Sequence, residues 1–186
     1  MQMLELLILT NMAACTEDKE RKGNMFDSET YNVAISVACS LLNVDTFYPE
    51  QKEALWNFFS GKDVYFSAHT GYGKSLIYQA MPIIADVLND QAIGTSTVLV
   101  LSPLLSLMKD QVEHINNSFS ISAAAIFDGQ EEEILQNIED GVYSLVYASP
   151  ESFVGKKRWR SIASSETFRE DCVAVVVDEA HCLVHW

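Results

Sequence analysis

Two short stretches hold residue types and spacings that could do chemistry. The first is Ala68-His69-Thr70-Gly71-Tyr72-Gly73-Lys74-Ser75, which follows the apolar run Val64-Tyr65-Phe66 and opens a helical run from Leu76 to Leu88. A strand, a glycine loop and a helix in that order form the setting in which a loop binds phosphate. Gly71 and Gly73 let the backbone fold tightly and turn its N–H groups toward an anion. The helix adds its positive end. Lys74 can reach terminal phosphates, and the Ser75 hydroxyl can hold Mg²⁺. Ala68 stands where the usual pattern has its first glycine, so the pattern is met with a small residue at that place.

The second stretch is the apolar run Cys172-Val173-Ala174-Val175-Val176-Val177, ending in Asp178-Glu179-Ala180-His181. Adjacent carboxylates at the end of a buried strand are costly unless they have a task. Beside a phosphate loop the task is clear: Asp178 holds the metal, usually through water, and Glu179 orients and deprotonates an attacking water. The competing reading is an Asp-Glu pair favoured by a helix dipole.

These stretches need a frame to bring them together. Apolar runs predict strands at Asp63–Ser67, Thr97–Ser102, Ala123–Phe127, Tyr143–Ala148 and Cys172–Val177. Between them, helical runs fall at Ser75–Leu88, Leu105–Asn116, Glu131–Asp140 and roughly Lys156–Ser164. The strand runs are mostly continuous rather than alternating. That marks burial on both faces, hence an α/β fold with a parallel sheet and helices on each side. In such sheets ligands sit at the carboxyl ends of the strands. Two amphipathic helices lead in: Tyr31–Leu42, with Val33, Val37 and Leu41 at helical spacing, and a second over Ala54, Leu55, Trp56, Phe58 and Phe59. The leading run Met1–Thr10 is apolar but short, carries Glu5 and has no basic flank. It reads as a weakly packed helix or as residues upstream of the folded domain, and is too short to span a bilayer.

Composition narrows the partners. The chain has 186 residues and a net charge of −14, so bulk charge does not draw it to polyanions. Any nucleic-acid contact must be local. From Asp110 to Glu151 there are nine acidic residues and no Lys or Arg, whereas Lys156-Lys157-Arg158-Trp159-Arg160 forms one basic cluster that could bind phosphate and stack a base on Trp159, or could be a solvated helix face. The four cysteines make no C-x-x-C pair, which favours a reducing compartment, and the four histidines show no zinc spacing.

Asp178-Glu179-Ala180-His181-Cys182 resembles the DEAH-type motif II of superfamily 2 helicases, in the form seen in RecQ-like DNA helicases. Leu101-Ser102-Pro103-Leu104-Leu105-Ser106-Leu107-Met108-Lys109-Asp110-Gln111-Val112 is similar to that family's motif Ia, and Tyr147-Ala148-Ser149-Pro150-Glu151 to motif Ib. Ser75-Leu76-Ile77-Tyr78-Gln79 matches the end of its phosphate loop, and Phe47-Tyr48-Pro49-Glu50-Gln51 looks like motif 0. The blocks stand in the family's order over about residues 44 to 186.

The resemblance implies a RecA-like P-loop NTPase domain over residues 55–186, a lead-in carrying the adenine-reading motif over 31–54, and a poorly defined segment over 1–30. It implies ATP and Mg²⁺ as cofactors, with Gln51 on the adenine edge, Tyr48 as a stacking surface, the loop Ala68–Ser75 on the phosphates, and Ser75 and Asp178 on the metal. Lys74, Asp178, Glu179 and His181 are the implied catalytic residues, His181 linking the nucleotide site to the partner domain and DNA. Ser102, Pro103, Lys109, Ser149 and Pro150 are the implied contacts to the single-stranded DNA backbone. The family pattern is departed from at Val44 and Tyr48, where it has an aromatic and a basic residue, and at Tyr72, where it often has glycine; the Tyr72 side chain must then point outward. The family's aromatic-rich loop begins near Trp186, and its second RecA-like domain, with the arginine finger, would follow. The expectation is the ATP-binding part of a larger 3′-to-5′ DNA helicase, nuclear and not in a membrane, which alone binds Mg-ATP weakly, hydrolyses it slowly and does not unwind DNA. Two alternatives stand beside it: a module that binds ATP, DNA or a partner without turnover, and an ATPase or kinase unrelated to nucleic acid.

Overall fold

The apolar runs become the strands of one six-stranded sheet in the computed structural model, which describes residues 4–11, 26–127, 129–155, 159 and 166–180. The strands are β1 (Leu4–Asn11), β2 (Val64–His69), β3 (Thr97–Leu101), β4 (Ala123–Ile126), β5 (Leu145–Ala148) and β6 (Cys172–Val177). Their order across the sheet is β2-β1-β6-β3-β5-β4. The pairs β6–β3, β3–β5 and β5–β4 are parallel, as the continuous runs predict. The helices are α1 (Ser28–Leu41), α2 (Pro49–Phe59), α3 (Lys74–Leu88), α4 (Leu105–Ser118), α5 (Glu132–Glu139), α6 (Pro150–Gly155) and α7 (Glu166–Asp171).

Alternation along each strand divides the core in two. Val98 and Val100 of β3, Leu145 and Tyr147 of β5, and Ala174 and Val176 of β6 face a large cluster with α1, α2, α3 and α4. Leu99, Val146, Ala148 and Cys172 face a smaller one containing Ile138 of α5, Trp159 and Phe168 of α7. Helices therefore cover both faces. β2 lies at the margin and is half-exposed, with Tyr65 71 % accessible. A buried carboxylate shapes the return from α3 to β3: Asp86 accepts N–H bonds from Gly94 at 2.7 Å and Ser96 at 2.8 Å.

The N-terminal run departs from expectation. Leu4–Asn11 is neither a helix nor a bystander but a strand in the middle of the sheet, antiparallel to β2 on one side and β6 on the other. Leucine is a good helix former, and a short apolar run cannot be told from a buried helix by periodicity alone. Pairing on both sides decided the matter: Leu7 and Leu9, two residues apart, are both fully buried on one face. Leu9→Ala should cost about 2–5 kcal/mol of unfolding free energy. Urea denaturation would read this as a lower midpoint, and an unchanged midpoint would show that β1 contributes nothing to the core.

Candidate active site

The loop after β2 takes the form its glycines allow. Gly71 (φ 85°) and Gly73 (φ 82°) both lie in the left-handed region, and Gly73 caps α3. The Tyr72 N–H donates to the His69 carbonyl at 3.2 Å, which closes the turn. Lys74 is the first residue of α3 and is buried, while Ser75 behind it is half-buried. Burial pulls the Lys74 ammonium below the usual lysine range, and the neighbouring Glu179 and Asp178 carboxylates push it back up. The phosphate loop and the acidic pair thus meet electrostatically, although β1 separates their strands in the sheet.

Asp178 follows β6, and its N–H donates to the Leu101 carbonyl at 2.9 Å. Its side chain is held from two sides. The Tyr78 hydroxyl, one turn into α3, donates to Oδ2 at 3.3 Å, and the Glu179 N–H donates to Oδ1 at 3.0 Å. Burial raises the Tyr78 phenol well above its ordinary value, so it stays protonated and serves as a donor. Its ring packs edge-on to Tyr147 of β5, 6.2 Å between centres. Glu179 has φ 52°, a left-handed conformation that costs a non-glycine residue about 1–2 kcal/mol.

Gln51 occupies a place its sequence position did not disclose. It is 1 % exposed, and both of its amide N–H donors are engaged. Nε2 donates to the carbonyls of Tyr72 at 3.2 Å and Gly73 at 3.0 Å, and Oε1 accepts from the Tyr48 N–H at 2.7 Å. The lead-in helix α2 is thereby tied to the glycine loop, and Gln51 would have to give up one of its Nε2 bonds to donate to a base edge. Tyr48 is 56 % exposed and packs beside Tyr72 at 5.1 Å, offering an aromatic surface at the mouth of the loop. The Tyr72 side chain points outward as expected, donating to Glu50 at 2.6 Å; that bond holds the Glu50 carboxyl below its usual range. His69 engages the Thr70 carbonyl through Nδ1 at 2.9 Å, and Ala68 lies within β2.

These contacts separate the two glycines. A Cβ on Gly73 would meet Gln51 Nε2 at 3.0 Å, whereas one on Gly71 would meet nothing within 4 Å. Both substitutions incur the left-handed backbone cost of about 1–2 kcal/mol. Gly73→Ala also pushes the Gln51 clasp apart, so its nucleotide affinity should fall by about tenfold more than that of Gly71→Ala. Equal losses in a calorimetric titration with a nucleotide would refute the clasp.

Ser102 and Ser149 stand side by side at the carboxyl ends of adjacent strands, where the Ser102 N–H donates to the Ala148 carbonyl at 3.0 Å. Ser102 is 1 % exposed, and its hydroxyl has no hydrogen-bond partner among the described residues. Pro103 follows it, half-buried. Ser149 accepts the Ser152 N–H at 3.1 Å and so caps α6, which Pro150 begins. Lys109 is exposed, with its ammonium 4.4 Å from the centre of the Phe127 ring. Of the basic cluster, Trp159 is buried at 3 % in the smaller core, so it offers no open face to a base. His181, Cys182 and the cluster's cationic residues lie outside the described residues.

The Ser75 hydroxyl and the Asp178 carboxylate are oxygen donors of the kind Mg²⁺ accepts, one of them a carboxylate. Among the described residues no cluster of three or more His, Cys, Asp or Glu side chains forms a protein-only metal cage. No helix among them is long and apolar enough to cross a membrane.

Comparison with known proteins agrees with this geometry. The family model described as DEAD/DEAH box helicase matches residues 48–186. The ATP-dependent helicase SGS1 of Saccharomyces cerevisiae is 37 % identical over 143 residues, covering 75 % of this chain and 10 % of its own length. The ATP-dependent DNA helicase RecQ of Haemophilus influenzae is 32 % identical over 157 residues, covering 82 % of this chain and 23 % of its own. The bifunctional 3′-5′ exonuclease/ATP-dependent helicase WRN of Mus musculus is 32 % identical over 117 residues, covering 63 % of this chain and 7 % of its own. The chain thus spans less than a quarter of the length of each of these relatives.

Proposed function

The chain belongs to the DEAD/DEAH box helicase family, with RecQ helicases among its relatives, and from that premise we propose that it is the ATP-binding part of a RecQ-like 3′-to-5′ DNA helicase. The observation that carries the reading is the meeting of Lys74 with Asp178 and Glu179 across β1. In this proposal residues 31–54 are the lead-in and 55–186 the ATP-binding domain, to whose sheet Leu4–Asn11 adds a strand.

The loop amides from Thr70 to Ser75 and the start of α3 receive the phosphates, as a helix N-terminus with left-handed glycines favours. Lys74 pairs with the terminal phosphate oxygens and offsets the charge that develops on them. Ser75 and Asp178 would hold Mg²⁺, which would supply positive charge to neutralise the phosphates. Tyr78 fixes the orientation of Asp178 from behind. Glu179 takes the proton of the attacking water. Tyr48 and Tyr72 offer a face to the base, and Gln51 links that face to the phosphate loop. Ser149 places a hydroxyl where a DNA backbone would cross the strand ends, positioning it without reading sequence, whereas Ser102, 1 % exposed, offers no open hydroxyl there. DNA, a second RecA-like domain that supplies an arginine, and a nuclear site of action belong to the same proposal.

The test is Mg-ATP binding and hydrolysis by this chain, with and without oligo(dT), beside a duplex-unwinding assay. The expected result is weak binding and slow hydrolysis that oligo(dT) accelerates, without unwinding. Unwinding by this chain alone would overturn the proposed division of labour with a second domain. Binding without any turnover would favour the reading as a binding module, and absence of Mg-ATP binding would overturn both.

A further inference from the structure

At the mouth of the glycine loop the open surface is aromatic, and the amide placed to read a base edge is buried. Gln51 spends its polar atoms on the protein itself. Nε2 donates to the Tyr72 carbonyl at 3.2 Å and to the Gly73 carbonyl at 3.0 Å, which uses both of its N–H groups. Oε1 accepts the Tyr48 N–H at 2.7 Å, so the same side chain caps the start of α2. Its second lone pair is buried with the rest of a side chain that is 1 % exposed.

An amide that must break its own bonds first gains little by making new ones. Donating to a base edge would cost Gln51 an Nε2 bond of the kind it would form. It would also release a carbonyl of the turn that shapes the phosphate loop. The rings beside it have no such conflict. Tyr72 lies 5.1 Å from Tyr48 and 6.0 Å from Phe66 between ring centres. The Tyr72 hydroxyl donates to Glu50 at 2.6 Å, which holds the ring in that group, and Tyr48 is 56 % exposed. Every base has a π-face, so a stacking surface does not separate adenine from guanine. A pyrimidine, with its smaller ring, covers less of it.

We propose, on the basis of the nucleotide site argued above, that this site takes purine nucleoside triphosphates as a class, with no preference for adenine. Tyr48 and Tyr72 hold the base by stacking, and the glycine loop holds the phosphates. Gln51 is a positioning residue that fixes the loop instead of reading the base.

The test is calorimetric titration of the full chain, in Mg²⁺, with ATP, GTP, CTP and tripolyphosphate. ATP and GTP should bind within about threefold of each other, whereas a bidentate amide–adenine pair would separate them by about 5- to 150-fold. CTP should bind more weakly than either purine. Tripolyphosphate should bind about fivefold or more weakly than ATP, the difference that one stacked base makes. Tyr48→Ala should bring ATP and GTP down together toward tripolyphosphate. Gln51→Ala should weaken ATP, GTP and tripolyphosphate by the same factor, because the loop loses its clasp; loss of a base reader would fall on ATP and spare tripolyphosphate. Because Gln51 also caps α2, the wild-type ratio of ATP to GTP carries the decision. A preference for ATP of about tenfold or more overturns this proposal and leaves the phosphate site standing. So does a shift of the Gln51 side-chain amide resonances that ATP produces and GTP and tripolyphosphate do not. Binding of none of the ligands overturns this proposal together with the nucleotide site on which it rests.

Discussion

Lys74→Ala is expected to lower Mg-ATP turnover by at least 10²-fold, on the order of what one preorganised charge contributes to a transition state. The loss should exceed that of any substitution in the loop's neighbours, because Lys74 answers two sets of charges. In the proposed site it meets the incoming phosphates, and the Glu179 and Asp178 carboxylates act on the same ammonium. Removing it takes away a positive charge that acts on both carboxylates, so nucleotide affinity should fall along with turnover. A pH series gives an independent check. Burial lowers the pKa of Lys74, so its charge, and with it nucleotide affinity, is present at neutral pH and is lost on the alkaline side sooner than for an ordinary lysine. A Lys74→Ala protein with unaltered turnover would remove the phosphate loop from the mechanism.

Glu179→Gln should separate binding from chemistry. The amide keeps the shape of the side chain and cannot accept the proton of the attacking water, so hydrolysis should fall by about 10²–10⁴-fold while Mg-ATP affinity stays within a few-fold of the wild type. Glu179→Gly adds a contrast that only the observed backbone supplies. At φ 52° glycine is at ease where glutamate is strained, so this variant should hold or raise the melting temperature while losing turnover to the same degree. A variant that loses both stability and activity would mean that Glu179 is a structural residue, the helix-start reading that the sequence left open.

Most of the frame could be read from the sequence because the signals were local. The buried runs at Thr97–Leu101, Leu145–Ala148 and Cys172–Val177 are continuous, β-branched-rich and bounded by turn residues, so their type and direction follow from composition and spacing. The loop at Gly71–Ser75 is legible for the same reason, since four residues define it. What stayed hidden depends on distant contacts. Tyr78 reaches Asp178 across a separation of 100 residues, and Gln51 reaches Tyr72 and Gly73 across 21 and 22. Nothing in a tyrosine on a helix face or a glutamine after a proline announces those partners. Trp159, amid cations, has the local look of a nucleic-acid contact, and only the packing of Phe168 and Ile138 around the same core makes it a buried side chain. The leucine-rich start was ambiguous by its own chemistry, and pairing with two strands resolved it.

That pairing has a consequence for how the molecule is made. Ile8 lies opposite both Tyr65 and Val177, so during synthesis it finds its second neighbour only after about 170 more residues have been added. At roughly 5–20 residues per second, Leu4–Asn11 waits on the order of ten seconds or more with one apolar edge open. Contacts that distant slow folding, since the loop must close before the pair is rewarded. The nascent chain, more than the folded one, is therefore where this sequence is most exposed to aggregation, and a chaperone that shields the Leu4–Asn11 strand during synthesis should raise the soluble yield more than one acting after folding.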